Sequence, residues 1–237
     1  MPKHDTPETT TPMFKSEPRL GERMFDLYVV TDSQLSKGRT AAEVARLAFE
    51  GGADVVQLRM KNADGREMLE QARLIRGYAE EMCKLFIVND RVDIAMASGA
   101  DGVHLGQTDI PVEDARRLMG DDAIIGVSVD NAEQAIAAAE GGADYVGVGA
   151  IFQTATKPDA NQGVGLGAIF QVREAVDIPI VAIGGINRGN IQDVIRAGAD
   201  AAAVVSAVVA QDDVRAAAHE LRDLILKVRP HVPPESL

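Results

Sequence analysis

Short apolar runs alternate along this chain with longer stretches in which apolar positions recur every three or four residues. Eight such runs stand out, at residues 27–30, 55–58, 85–88, 102–105, 123–127, 145–148, 180–183 and 202–205. They are apolar on both faces, the pattern of parallel strands covered by helices; a half-exposed sheet would alternate with polar residues. The stretches between them follow the helical period. In the last one Val214, Ala217, Ala218, Leu221, Leu224, Ile225 and Val228 fall on a single face.

A tripeptide marks the joints. Gly-Ala-Asp occurs at 52–54, 99–101, 142–144 and 198–200, each time closing an Ala-rich helical stretch and opening an apolar run. Glycine just past a helix can take the left-handed conformation that satisfies the last carbonyls, after which a strand can begin. Each copy therefore predicts a helix-to-strand junction. Eight strand-plus-helix units in about 210 residues predict a single-domain α/β TIM (β/α)8 barrel over residues 23–237, with an open doubly wound sheet as the alternative topology. Residues 1–22 are rich in Pro, Thr and both charges and lack the apolar stretch of a signal peptide, so a disordered N-terminal tail is expected.

Composition narrows the functions. Of 237 residues, 46% are apolar and 25% charged, an ordinary balance for a chain with a large core. The formal charge of −12 argues against a nucleic-acid or anionic-membrane partner, each of which would need a basic face. Any phosphate must be bound in a local pocket, and the partners expected are small molecules. No window approaches 18 consecutive apolar residues, and a cytoplasmic location is expected. A lone cysteine, Cys83, excludes an internal disulfide and is expected to be a partly buried thiol near a helix end. The Ala-rich outer helices permit a homo-oligomer.

In such barrels chemistry sits at the C-terminal ends of the strands, and here those ends are polar. After the second run, period-two alternation puts Gln57, Arg59 and Lys61 on one face and Leu58 and Met60 on the other. An amide, a guanidinium and an ammonium on one face suit a phosphate-bearing ligand, or else salt bridges to neighbouring acids. Asn89-Asp90 ends the third run, and His104 through Asp109 ends the fourth. Each aspartate could cap the next helix. Two on adjacent strand ends beside cations also fit Mg2+, which takes few carboxylates and completes its shell with water and phosphate oxygens. His104 is a proton carrier or a packing residue at the barrel mouth. Ser128 offers an exposed hydroxyl after the fifth run. The longest connection, 152–163, carries Thr154, Thr156 and Lys157 and reads as a lid or a solvated loop. Gly184-Gly185 and Val205-Ser206 lie where barrels of this kind commonly bind phosphate. Two anion subsites result, a metal-assisted diphosphate site near strands 2 to 4 and a monophosphate site at strands 7 and 8.

These stretches, in this order, resemble the thiamine phosphate synthase family. The matching segments are 57–61, 89–93, 102–109, 126–128, 152–157, 184–186 and 205–206, from about residue 26 to 210 of the chain. The resemblance implies a transferase that joins hydroxymethylpyrimidine diphosphate to a thiazole phosphate, or its carboxylated form, releasing pyrophosphate. It implies that Gln57, Arg59, Lys61, Asn89, Ser128 and Lys157 hold the pyrimidine diphosphate, with Arg59, Lys61, Lys157 and Ser128 catalytic. It further implies that Asp90 and Asp109 carry Mg2+ and that Thr154, Thr156, Gly185, Val205 and Ser206 bind the thiazole phosphate. Four positions depart from the family pattern: Met60 for Glu, Thr108 for an acid, and Val129-Asp130 for Thr-His. Met60 points away from the cationic face and Thr108 leaves Asp109 in place, whereas Asp130 bears on any role of that position but not on the reaction. A related thiazole tautomerase, or a non-catalytic phosphate-binding barrel, is the alternative; neither would need the complete diphosphate set present here.

Overall fold

The computed structural model describes residues 25–154 and 163–229, so the expected tail at 1–22 lies outside the described residues. Eight strands are present: β1 (Leu27–Val30), β2 (Val55–Leu58), β3 (Leu85–Asn89), β4 (Gly102–Leu105), β5 (Ile124–Val129), β6 (Tyr145–Val148), β7 (Ile180–Ile183) and β8 (Ala201–Val204). Each pairs in parallel with the next, and β8 returns to β1, with Leu27 level with Ala202 and Val29 with Val204. The sheet is thus a closed TIM barrel, and the open doubly wound alternative is excluded. The helices are α1 (Ala41–Glu50), α2 (Gly65–Glu81), α3 (Val92–Ser98), α4 (Val112–Met119), α5 (Ala132–Glu140), α6 (Gly167–Ala175), α7 (Ile191–Arg196), α8 (Ser206–Val209) and α9 (Val214–Leu226).

Local chemistry starts several of these helices. Thr40 and Glu43 form a reciprocal capping box, the Thr40 hydroxyl accepting the Glu43 N–H at 3.1 Å and the Glu43 carboxylate accepting the Thr40 N–H at 2.8 Å. Asp64, Asn131 and Asp213 cap α2, α5 and α9 in the same sense. Strand alternation then separates two cores. Val29, Val56, Phe86 and Val146 face the helices, whereas Tyr28, Val55, Ile87 and Tyr145 fill the barrel. The predicted face of α9 is the buried one, through Val214, Ala218, Leu221 and Ile225.

The Gly-Ala-Asp copies are built alike. Their glycines have φ of 98, 68, 93 and 102°. The alanine N–H of each reaches back to the helix, Ala53 to Ala48 and Ala143 to Ala138 both at 3.0 Å. Each aspartate then clamps one residue of the preceding odd-numbered strand twice. The Asp144 N–H donates to the Ile125 carbonyl at 2.7 Å, and the Asp144 carboxylate accepts the Ile125 N–H at 2.7 Å. Asp54 does the same to Leu27, Asp101 to Phe86 and Asp200 to Ile180. A cation neutralises each carboxylate: Lys84 on Asp54 at 3.0 Å, Arg76 on Asp101 at 2.8 Å, Arg116 on Asp144 at 2.6 Å, and Arg173 on Asp200.

Cys83 departs from expectation. It sits just past the end of α2, as predicted, but it is exposed. With φ of 54° it occupies the left-handed position that glycine takes at other helix ends, which turns its side chain outward. Among the described residues no helix is long and apolar enough to cross a membrane.

Asp144 and Arg116 are only 11% and 15% exposed. Asp144→Ala takes the carboxylate counter-charge from the buried Arg116, which keeps only backbone carbonyls, and leaves the Ile125 N–H without its acceptor, so it should cost about 3 kcal/mol in urea unfolding. Asp114→Ala, which removes the exposed Arg117 pair, should leave the midpoint nearly unchanged.

Candidate functional site

The polar strand ends do gather at the C-terminal mouth. Alternation after β2 holds: Leu58 lies in the outer core and Met60 packs against it, while Gln57 faces the barrel interior. Gln57 is 5% exposed, and its amide N–H donates to the Tyr28 hydroxyl at 2.8 Å. Arg59 is oriented by the end of β1. Its backbone N–H donates to the Thr31 hydroxyl, and its guanidinium meets the Asp32 carboxylate, both at 3.0 Å. Asp32 in turn is held by the N–H groups of Gln34 and Leu35, at 3.0 and 3.2 Å. Thr31 and Asp32 follow an apolar run directly, the same signal that singled out the other strand ends, but no motif drew attention to them.

Lys61 lies 3.8 Å from the Asp90 carboxylate. The salt-bridge and ligand readings of this cationic face are therefore compatible, because each cation is tethered at the mouth by an acid. Neither Asp90 nor Asp109 is a helix cap. Arg91 occupies the cap of α3 and Pro111 that of α4, both without a side-chain cap bond. Asp90 adopts φ of 64°, a conformation that Asp tolerates better than most residues. Asp109 folds back to accept the Gly106 N–H at 2.6 Å. The Asp109 carboxyl lies beside that of Asp90. Burial, then this contact and the Asp109 charge, raise Asp90 above the ordinary carboxylate range, opposed by Lys61 and Arg59. Two oxygen-donor carboxyls side by side fit a hard divalent cation. Among the described residues there is no cluster of three or more His, Cys, Asp or Glu able to hold a metal.

Asn89 ends β3 level with His104 of β4. The Ser128 hydroxyl, expected to be exposed, is half-buried and lies 2.9 Å from His104 Nε2, because β4 and β5 are neighbours. His104 Nδ1 lies 2.9 Å from the Tyr145 hydroxyl, which lies 2.9 Å from that of Tyr28. Gln57 and Ser128 are thus the ends of one buried hydrogen-bond chain through β1, β6 and β4.

On the opposite arc Gly184 and Gly185 have φ of 104 and 65°. A Cβ on Gly185 would stand 2.7 Å from the Gln153 carbonyl and 2.8 Å from Phe152 Cβ, so glycine lets the connection after β6 lie directly on the end of β7. The Phe152 N–H donates to the Gly184 carbonyl at 3.0 Å. Thr154 follows at once, while Thr156 and Lys157 lie outside the described residues. Val205 caps α8 and Ser206 begins it, so the first amides of that helix point past the end of β8 without intrahelical acceptors.

The fold and its mouth define a (β/α)8-barrel enzyme. The profile of the thiamine monophosphate synthase family matches residues 27–208, and the chain belongs to that family. It is 53% identical to the thiamine-phosphate synthase of Methanoculleus marisnigri over 85% of this chain and 95% of that protein. It is 55% identical to the thiamine-phosphate synthase of Chloroflexus aurantiacus, over 84% and 92% respectively. The thiamine phosphate pyrophosphorylase structure from Pyrococcus furiosus superposes with a TM-score of 0.80 at 44% identity, covering 86% of this chain and 97% of that one.

A raised folded-state pKa means that Asp90 contributes stability when protonated and loses it as pH rises. Asp90→Asn keeps the left-handed backbone and cannot ionise. In metal-free protein it should therefore raise the melting temperature at pH 7, with the gain shrinking as pH falls through the Asp90 titration. Thermal melts across pH check this, and an equal shift at every pH would contradict it.

Proposed function

We propose that this chain joins hydroxymethylpyrimidine diphosphate to a thiazole phosphate, or its carboxylated form, giving thiamine phosphate and pyrophosphate. The observation that carries the reading is the gathering of Arg59, Lys61 and the Asp90–Asp109 pair on one arc of the mouth, in a chain of this family. Arg59, Lys61, Lys157 and Asn89 would hold the diphosphate, and Gln57 and Ser128 the pyrimidine. Thr154, Thr156, Gly185, Val205 and Ser206 would anchor the thiazole phosphate.

The chemistry asks for little covalent help. The bond between the pyrimidine methylene carbon and the diphosphate oxygen breaks, and the electron pair leaves with the diphosphate. The thiazole nitrogen then closes on the methylene carbon, whose positive charge the aminopyrimidine spreads. Arg59, held by Asp32, and Lys61, held by Asp90, meet the growing negative charge without having to reorganise. The carboxylates of Asp90 and Asp109 would hold Mg2+, whose part when bound is to neutralise the departing diphosphate. A thiazole phosphate anchored at the ends of β7 and β8 would be aimed across the mouth at the methylene carbon. The lid reading of the connection at 152–163 falls largely outside the described residues. The small anionic substrates require no basic face, in keeping with a cytosolic enzyme of charge −12.

Mixing both substrates should release pyrophosphate in a Mg2+-dependent way, and Asp90→Asn should raise the Mg2+ needed for half-maximal rate. Turnover of a thiazole carboxylate phosphate without coupling would indicate a tautomerase instead. Arg59→Gln should lower the single-turnover rate by about 10²–10³, equivalent to roughly 3–4 kcal/mol. Lys157→Ala should lower that rate more than it weakens binding of the thiazole phosphate; an unchanged rate would remove Lys157 from the chemistry.

A further inference from the structure

We propose that the chain Gln57–Tyr28–Tyr145–His104–Ser128 is a one-way hydrogen-bond relay, and that His104 is a positioning residue that leaves the Ser128 hydroxyl a donor toward the substrate ring. The inference rests on the pyrimidine reading above for its substrate and on the protein alone for its direction.

The direction follows from counting protons. The Gln57 amide N–H points at Tyr28, so the Tyr28 oxygen accepts at that contact. Burial pushes both phenols well above their usual pKa, so each keeps its single proton. The Tyr28 proton then serves Tyr145, and the Tyr145 proton serves His104 Nδ1. An imidazole that accepts at Nδ1 carries its proton on Nε2, which donates to Ser128 Oγ. The serine proton is the one left over. It can be given only to an acceptor, such as the lone pair of a ring nitrogen. At the other end the Gln57 carbonyl oxygen can only accept, as from an exocyclic amine. The ring selected offers an acceptor nitrogen and an amino group together.

The barrel is shaped around this relay. A Cβ on Gly126 would stand 2.0 Å from Tyr145 Cζ, and one on Gly147 would stand 3.0 Å from His104 Cε1. Two strand glycines therefore make the space in which the phenol and imidazole lie, with ring centroids 5.5 Å apart. Tyr28 is likewise wedged at 6.4 Å from Phe25 and 6.2 Å from Tyr145. Neither phenol can swing away from its partner without opening the core.

The test reads the tautomer first. In full-length protein labelled with 15N-histidine, the His104 resonances, assigned by their loss in His104→Gln, should show a neutral ring protonated at Nε2. A ring protonated at Nδ1 would mean that the relay runs the other way, and an imidazolium would mean that there is no relay; either overturns the proposal. Activity gives the second arm. Ser128→Ala should lower kcat/KM about tenfold for the aminopyrimidine diphosphate, and should have no effect on an analogue in which the accepting ring nitrogen is C–H. Tyr145→Phe should lower kcat/KM without adding to the Ser128→Ala loss. His104→Gln, whose amide N–H reaches the Nε2 position, should restore most of the activity lost in His104→Ala. Full additivity of Tyr145→Phe and Ser128→Ala, or equal losses on both pyrimidines, would count against the proposal. Failure of the unaltered protein to couple its substrates would refute the substrate reading, while the tautomer would still decide the direction of the relay.

Discussion

Four aspartate clamps at the closed end of the barrel set the register on which everything at the open end depends. Each ties one residue of an odd-numbered strand through both its N–H and its carbonyl to the residue just before the next even-numbered strand. Strand side chains alternate with a period of two, so a slip of one residue would send every inward side chain outward. Gln57, His104 and Ser128 would then face the helices, and the outer core would fill the barrel. The carboxylates can do this at low electrostatic cost because a lysine or arginine accompanies each. Stability and chemistry thus occupy opposite ends of the same strands, a division of labour that parallel barrels make available.

At the open end the electrostatics are local. A chain with a net charge of −12 cannot draw anions by its overall field, yet Arg59 and Lys61 stand together on one arc of the mouth. Their counter-acids differ. Asp32 is held by its own turn and serves to aim Arg59. Asp90 instead lies beside Asp109, and burial together with that second acid raises its pKa against the pull of Lys61 and Arg59. One acid orients its cation, and the other answers to a second acid as well.

Between these ends the barrel interior is neither a pore nor a plain apolar core. Phe25, Val55, Leu85, Ile87 and Ile124 share the inner core with Tyr28 and Tyr145, whose hydroxyls join a polar chain that runs through His104 to Ser128. Every member has a partner, as buried polar groups require. The layer links β1, β2, β4, β5 and β6, so residues far apart in the chain share one set of protons.

The sequence by itself determined the eight strand-plus-helix units, while the pairing of β8 with β1 that closes the sheet came from the structure. Paired apolar runs, helical periodicity and the repeated Gly-Ala-Asp are local signals, because a left-handed helix end and a strand start need only adjacent residues. The polar strand ends were legible too, since topology alone places strand ends at one mouth, and alternation correctly parted Gln57 from Leu58. Only the tertiary structure decided which groups touch. That Ser128 is bound to His104, that Asp32 aims Arg59, and that Asp90 meets Asp109 in place of capping α3 are contacts across different strands. So is the use of the Gly-Ala-Asp aspartates as clamps, where the sequence offered only a junction. The reason is physical: conformational preference is set by neighbours along the chain, but a hydrogen bond or a shared proton depends on distances of about 3 Å between strands, which exist only once the barrel has closed.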